Sequence, residues 1–497
     1  MHYANAVEND GIDDVNELNQ AIAAPEQVGL QDQEDVDMED VQNIGPPMQI
    51  DLRRKVTLFL LKLRELHKVP GTVCSFVASE LVNILQMSKA KVHSELDAAL
   101  LEDGVNRDAI ATAMAVIQST ELEDIFHSLE DNRKLSGYVQ SEFPYVEPIE
   151  FVLGVDIKGK CESTQYIPIL KTVELLLQNE DIFAEVVQGH MSEDGKLRDF
   201  CDGAFFRENV LFASDSSSLQ VELYYDDFNI VNPLGNKVKN YKLVAFYFVL
   251  GNLSPQYRSK LHVLQLALLC KSKHLKKYGF KKVLQPLIND LAVLEKDGVC
   301  VNKNGHEHHF RGTVSFVSAD NLGAHSLGGF NESFNGLRIS RFCMATRQEL
   351  DECLTVESCE MRTRESYNAQ VTMVSEDRTL ATAYGVKTDC VLNELEYFHV
   401  TRGLPSDIAH DLFEGLVPEV LQNLVLYFVS EDYFSLDHFN TRIESFSYGK
   451  TDRVNKPTRM ASTVADFRVK QTAMQCWCML RLFPILIGDK VPEHNPQ

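Results

Sequence analysis

The chain has 497 residues, 44% apolar and 24% charged, enough for two or three domains with real cores and ordinary for a soluble protein. A formal net charge of -24 excludes a surface that is basic throughout, so any phosphate-binding patch must be local. Eleven cysteines without short, even spacing and without a preceding signal peptide exclude a disulfide framework and point to reduced thiols inside a cell.

Residues 1–50 contain no Lys or Arg and carry about half of the acidic excess, densest in QDQEDVDMED. With little periodic hydrophobicity and a GPP ending, residues 1–52 read as a disordered acidic tail. Residues 53–135 read as helical. RKVTLFLLKLRELHK, FVASELVNILQM and VHSELDAALLED step their apolar side chains by three and four, and PGT at 70–72 divides the first two. A mixed segment follows, in which YIPILKTVELLLQNEDIFAEVV reads as the strongest helix. No run approaches the roughly 18 apolar residues needed to cross a bilayer.

From about 217 the period changes to two. LQVELYYDDF is a strand, NPLGNKVKN a turn or loop, and YKLVAFYFVLGNL a second strand. LHVLQLALLC fits a third strand or a helix, and FKKVLQPLINDLAVLEKDG an amphipathic helix stopped by glycine. VCVNKNGHEHHFRGTVSFVSAD supplies a short hairpin and a central strand. The order β-β-β-α-β, with Asp226 and Asp227 ending the first strand and Asp320 the fourth, is that of an RNase H-like core. Catalytic groups gather at strand C-termini in open sheets. The expected fold class is therefore α+β. An RNase H-like mixed-sheet core begins within residues 136–330, is interrupted by an irregular insertion over 331–404, and has helical regions before and after it. The last, 405–497, stops abruptly after an apolar helix and reads as truncated.

A third acid stands in SDIAHDLFEGLVPEVL. Glu414 follows His410 by four residues, on one face of a regular helix, and Asp411 is its rival. Carboxylates gathered from distant segments suit two-metal phosphoryl transfer, in which ions about 3.5–4 Å apart activate the attacking oxygen and stabilise the leaving one. Mg²⁺ is the fitting ion because it prefers oxygen. Between the first two acids lies a basic stretch, with Lys271, Lys273, Lys276, Lys277, Lys281 and Lys282 as candidate DNA-phosphate contacts. NLGAHSLGGF lacks the Lys-Ser/Thr of a P-loop and reads as close backbone packing beside the acids. HEHHF has no cysteine partner at zinc spacing and reads as a hairpin, and Cys476 and Cys478 as core thiols.

Together the blocks YYDDFNIVNPLGNKVKNYKLVAFYFVLGNL, VSADNLGAHSLGGFNESF, RFCMATRQEL, GLPSDIAHDLFEGLVPEVL and LRLFPILIGDKVPE resemble the CACTA-type (Enhancer/Suppressor-mutator-like) transposases, especially their uncharacterised animal relatives. The resemblance implies an interrupted RNase H-like domain that cuts and rejoins DNA with acidic residues and Mg²⁺. It also implies a nuclear protein, and a homo-oligomer because two element ends are cut together. It places the catalytic and metal-binding acids on Asp226 or Asp227, on Asp320 and on Glu414, with His410 orienting a ligand or meeting the scissile phosphate. Ser340 stands where relatives carry the first cysteine of a Cys-x-x-Cys, and no amino-terminal zinc finger is visible. These losses fit a domesticated copy, and the alternative expectation is a non-catalytic DNA- or protein-interaction module on the same fold.

Overall fold

The structure is a computed structural model that describes residues 51–102, 104–117, 121–129, 131–230, 242–258, 260–350, 352 and 355–492. The acidic tail up to residue 50 and the NPLGNKVKN loop lie outside the described residues. The chain divides into two compact units, with the boundary between Tyr145 and Val146.

The first unit is helical. Asp51 opens it by accepting from the Arg54 N–H at 2.9 Å, capping Leu52–Leu61. The two apolar runs after Pro70 form one continuous helix, Gly71–Glu102. Val56, Leu60, Ala78, Val82, Phe126 and Leu129 make its small core. Helical structure outlasts the expected boundary at 135. Asp131 caps one more helix, Asn132–Glu142, by accepting from Arg133 N–H at 2.6 Å.

The second unit is α+β. Strands β1 (Ile149–Val155), β2 (Cys161–Tyr166), β3 (Leu219–Asn229), β4 (Lys242–Leu250), β5 (Gln265–Lys271) and β8 (Gly312–Ser318) form one sheet in the order β1-β2-β5-β4-β3-β8. All neighbours are antiparallel except β3 and β8, which run parallel. Strands β6 (Val299–Lys303) and β7 (His306–Phe310) make a separate hairpin, so HEHHF is the second strand of that hairpin. Strand β8 is at the sheet edge rather than central, and β1 and β2 extend the far side.

Side chains alternate along β3. Leu219, Val221, Leu223 and Tyr225 are buried, while Glu222, Tyr224 and Asp226 on the other face are not. Between β5 and β6 the chain forms the helical segment Ser272–Val283, broken by a kink at Gly279 (φ +75°), and the helix Gln285–Lys296, where one helix was expected. Leu287, Leu291 and Leu294 of the second are fully buried in the core that holds Val221 and Leu223. The 166–187 run is likewise two helices, Ile169–Leu177 and Glu180–Gln188. Asn179 caps the second by accepting from Asp181 N–H at 2.9 Å.

The described residues of 331–404 are irregular, with one longer helix, Arg364–Glu376, and isolated bridges. They are not a separate body, because Tyr367, Val386, Leu392, Phe398 and Leu404 are buried in the sheet's own core. The last segment packs Val417, Leu421 and Val425 against Phe439, Phe467 and Met479 in a second cluster, which includes Cys476. Its continuous helix Ile408–Ser430 has the length and apolar composition to cross a membrane, but it carries Asp411, Glu414 and Glu419 and feeds that cluster.

The glycines of NLGAHSLGGF serve close packing. Gly329 has φ +69°, and a Cβ there would lie 2.0 Å from the Thr388 carbonyl oxygen. Gly329→Ala should therefore cost about 3 kcal/mol or more, the sum of left-handed strain and a backbone clash. Gly195→Ala, at φ +73° but with open space around it, should cost about 1 kcal/mol from strain alone. Urea denaturation of both variants checks this, and equal midpoints would contradict it.

Candidate active site

Asp226 and Asp320 come together through sheet register. Tyr224 of β3 is level with Ser318 of β8. Asp226 stands two residues further along β3, and Asp320 two residues past Ser318, just beyond the end of β8 at the start of the next helix. Asp320 caps the helix Asn321–Leu327, its Oδ1 accepting from Gly323 N–H at 2.6 Å. A Cβ at Gly323 would lie 3.0 Å from both Asp320 Oδ1 and the Tyr225 ring. Asp226 is half-buried, and its Oδ1 accepts from the Asp227 N–H at 2.7 Å. Burial raises its carboxyl above the usual range, and the charges of Asp320 and Asp227 raise it further, against the Asp227 N–H. The buried Tyr225 phenol is likewise pushed up, by burial first and then by Asp227, Asp320 and Asp226. Asp227 emerges one step on, toward the opposite face, and pairs with Lys242 Nζ at 2.5 Å. Of the two neighbours, Asp226 carries the carboxyl that Asp320 helps to raise, whereas Asp227 is paired with Lys242.

The carboxy-terminal contribution comes from the segment Asp407–Leu416. Residues Ile408–Leu416 wind as a π-helix, wider than the 3.6-residue turn that the His410–Glu414 spacing assumed. Asp407 caps it, accepting from Ala409 N–H at 3.0 Å and His410 N–H at 3.3 Å, and also binds His410 Nδ1. That hydrogen bond raises the His410 pKa against burial, and the charges of Asp407, Glu414 and Asp320 add to it. His410 thus shares the electrostatic environment of both Asp320 and Glu414. Asp411 is joined more directly, because its Oδ1 accepts from the Asn321 amide, next to Asp320. Glu414 also bears on the buried Cys476 thiol, which burial pushes up to about 11.

Arg341 was not among the residues singled out from the sequence. It is 5% exposed and donates to Asn321 Oδ1 at 2.8 Å, to the Pro405 carbonyl at 2.6 Å and to the Leu404 carbonyl at 3.3 Å. Its guanidinium lies 4.4 Å from the Phe342 ring centre. Through Asn321 it ties the Asp320 turn to the segment bearing His410 and Asp411. The only sequence signal was its place at the head of RFCMATRQEL. Ser340, just before it, closes a turn by accepting from Phe342 and Cys343 N–H, both at 3.1 Å.

The basic stretch lies on the helix Ser272–Val283. Lys277 pairs with Glu162 at 2.5 Å, Lys281 pairs with Glu394 at 2.9 Å, and Lys282 sits 5.2 Å over the Tyr278 ring. Lys271, Lys273 and Lys276 are exposed. Among the described residues, a trio of ligand-type side chains with atoms all within 4.8 Å of one another occurs at His190, Asp199 and Cys201, and not at the Asp226–Asp320 pair. No family model matches the chain, and no curated protein matches it.

The Asp407–His410 pair makes a pH prediction. A histidine whose folded pKa exceeds 6.5 contributes stability that is full below that value and is lost as pH rises through the raised pKa. In an NMR titration, Asp407→Asn should return the His410 midpoint toward 6.5. An unchanged midpoint would remove Asp407 as the cause.

Proposed function

We propose that this chain is a transposase-derived protein of the CACTA type, with an RNase H-like core descended from a Mg²⁺-dependent DNA strand-transfer enzyme of the nucleus. The placement of Asp226 on β3 and of Asp320 just past the end of the parallel neighbour β8, with their charges coupled, carries the reading. The run β5-β4-β3-β8 supports it, with three antiparallel strands and then one parallel to the first, reached across two helices. Among the sequence blocks, YYDDF and VSADNLGAHSLGGF supply these two strand ends.

The donors fit Mg²⁺. Asp226 and Asp320 offer hard oxygen ligands, and the charge of Asp320 helps raise the Asp226 carboxyl, so a cation between them relieves repulsion. Asp226 and Asp320 would hold it, with Asp411 or Glu414 completing the set. Such an ion, once bound, supplies charge stabilisation to the oxygens of phosphoryl transfer. The protein's own groups do the positioning. Asp407 holds His410 by Nδ1 and leaves Nε2 for a phosphate or a ligand. Arg341 and Asn321 brace the Asp320 turn against the Asp411 segment. Two active sites are required to process two element ends, so the working form is a homo-oligomer on DNA.

A second reading, an interaction module without chemistry, has one observation in its favour. Lys277 and Lys281 of the basic helix already hold Glu162 and Glu394, which reduces what they offer DNA.

Asp320→Asn separates the two. The amide keeps helix capping, since asparagine caps as well as aspartate. It removes a repulsive charge, so the unliganded fold should hold or gain slightly in stability. Mg²⁺-dependent nicking of a supercoiled plasmid should vanish while DNA retention in gel shifts stays within about twofold. Nicking that persists undiminished in the variant overturns the site, and binding without nicking in either protein favours the module.

A further inference from the structure

A second polar cluster lies on the same face of β3 as Asp226, nearer the start of the strand. It is built on the stretch 189–203, which has no helix or strand until the single turn Phe200–Asp202. Asp202, 4% exposed, organises it by accepting from Ser192 N–H at 2.6 Å, Ser192 Oγ at 2.9 Å, Arg198 N–H at 2.8 Å and Asp199 N–H at 3.1 Å. Burial pushes that carboxyl up, but these bonds outweigh it and hold it at about 2. With its oxygens occupied, Asp202 shapes the loop and is not itself a ligand.

The loop brings His190, Asp199 and Cys201 together, their ligand atoms all within 4.8 Å of one another. His190 Nε2 stands 2.6 Å from Asp199 Oδ2, and Cys201 is 4% exposed. Arg258 joins Asp199 to Glu222 of β3. Among the described residues, His190 Nδ1, Gln220 Oε1 and Arg258 Nε are buried without a hydrogen-bond partner. Gln220 is 3% exposed, and its Oε1 with Glu222 Oε1 flanks Gly251, where an added Cβ would lie 3.2 and 2.7 Å from them.

The geometry points to a zinc site formed by His190, Asp199 and Cys201, which joins the two ends of the 189–203 loop, while Arg258 links that loop to Glu222 of the sheet. Mixed nitrogen, oxygen and sulfur donors suit Zn²⁺, and three protein ligands leave the fourth position to water. The charges close. Zn²⁺ is neutralised by the Asp199 carboxylate and the Cys201 thiolate, and Arg258 by Glu222. Binding releases one proton to solvent, from Cys201 Sγ as the Zn–S bond forms. His190 would bind as the neutral imidazole, with Nε2 on the metal and the ring proton on Nδ1. Arg258 remains on Asp199 as the outer partner that orients a metal ligand. Because the Cys201 thiol must lose its proton to bind, zinc uptake should weaken as pH falls.

The site is independent of the proposed acidic centre, and the test keeps them apart. Full-length protein is stripped with chelator, reloaded with Zn²⁺ or Co²⁺ alone, and dialysed. About one equivalent of zinc should remain, and the cobalt form should show a near-ultraviolet thiolate charge-transfer band, which oxygen donors at Asp226 and Asp320 cannot give. Cys201→Ala and His190→Ala should each lower retained zinc to roughly a tenth, while Cys300→Ser, at an exposed thiol elsewhere, should not. Because buried variants can unfold, the wild-type cobalt spectrum and a zinc-dependent rise in wild-type Tm stand as separate readouts. No retained zinc in the wild type, a cobalt spectrum without the thiolate band, or full retention in Cys201→Ala overturns the assignment.

Discussion

A parallel neighbour cannot be reached by a tight turn, and the pairing of β3 with β8 therefore dictates most of the second unit. The chain must cross the sheet before it can return. It does so between Lys271 and Gly312, through two helices and the β6–β7 hairpin. The loop-closure entropy of so long an excursion is offset by burial where the strands meet. Val221 faces Val314, and Leu223 faces Val317, each 1% exposed or less. One consequence is chemical. Parallel strands end on the same side, so the residues that follow the apolar run on each strand are level. Asp226 and Asp320, 94 positions apart, become neighbours because the pairing slips by one residue between Val221 and Glu222, after which Leu223 faces Val317 and Tyr224 faces Ser318.

That arrangement would leave the Asp320 turn hanging from an edge strand without the brace supplied by Arg341. A buried guanidinium is costly unless its donors are used. Here it spends them on one side-chain oxygen and two backbone carbonyls, none of them charged. Burial accordingly depresses Arg341, and the more remote charges of Asp411 and Asp407 restore part of the loss. The carboxylates beside His410 therefore help keep Arg341 charged, quite apart from any metal. An acid in this cluster has structural work as well as whatever chemistry it does.

The sequence was informative where period and sheet position agreed. LQVELYYDDF, YKLVAFYFVL and GTVSFVS alternate because one face of each meets the core and the other does not, and each is a strand. β1 and β2 were missed because CESTQY has no apolar alternation and pairs in the sheet beside β5 regardless. The segment 331–404 shows no period because single residues such as Tyr367 and Leu392 enter the core from turns and short helices. Asp226, Asp320 and His410 were legible as charged residues at the ends of patterned elements. Arg341 was not, because its three acceptors lie 20, 63 and 64 residues away and nothing local marks it as buried. The His190–Asp199–Cys201 trio was missed because its members belong to no spacing motif and converge only once Asp202 has shaped the loop.

The two polar clusters on β3 stand apart although they share a strand and a face. Glu222 and Asp226 are four residues apart, about 13 Å along an extended chain. Between them lies an aromatic layer, with the Tyr224 and Tyr247 rings 6.5 Å apart across β3 and β4. The electrostatics follow this division. Glu222 is raised by burial, lowered by Arg258 and raised by Asp199, whereas Asp226 answers to burial, Asp227, Asp320 and no group of the lower cluster. The Tyr247 phenol, pushed up by burial and then by Asp226, marks the upper limit of the layer. A change of charge in the loop cluster would therefore reach the acidic pair chiefly by moving β3, not through its field. What the 189–203 loop can give the acidic pair is stiffness, by holding the opposite end of the strand from which Asp226 projects.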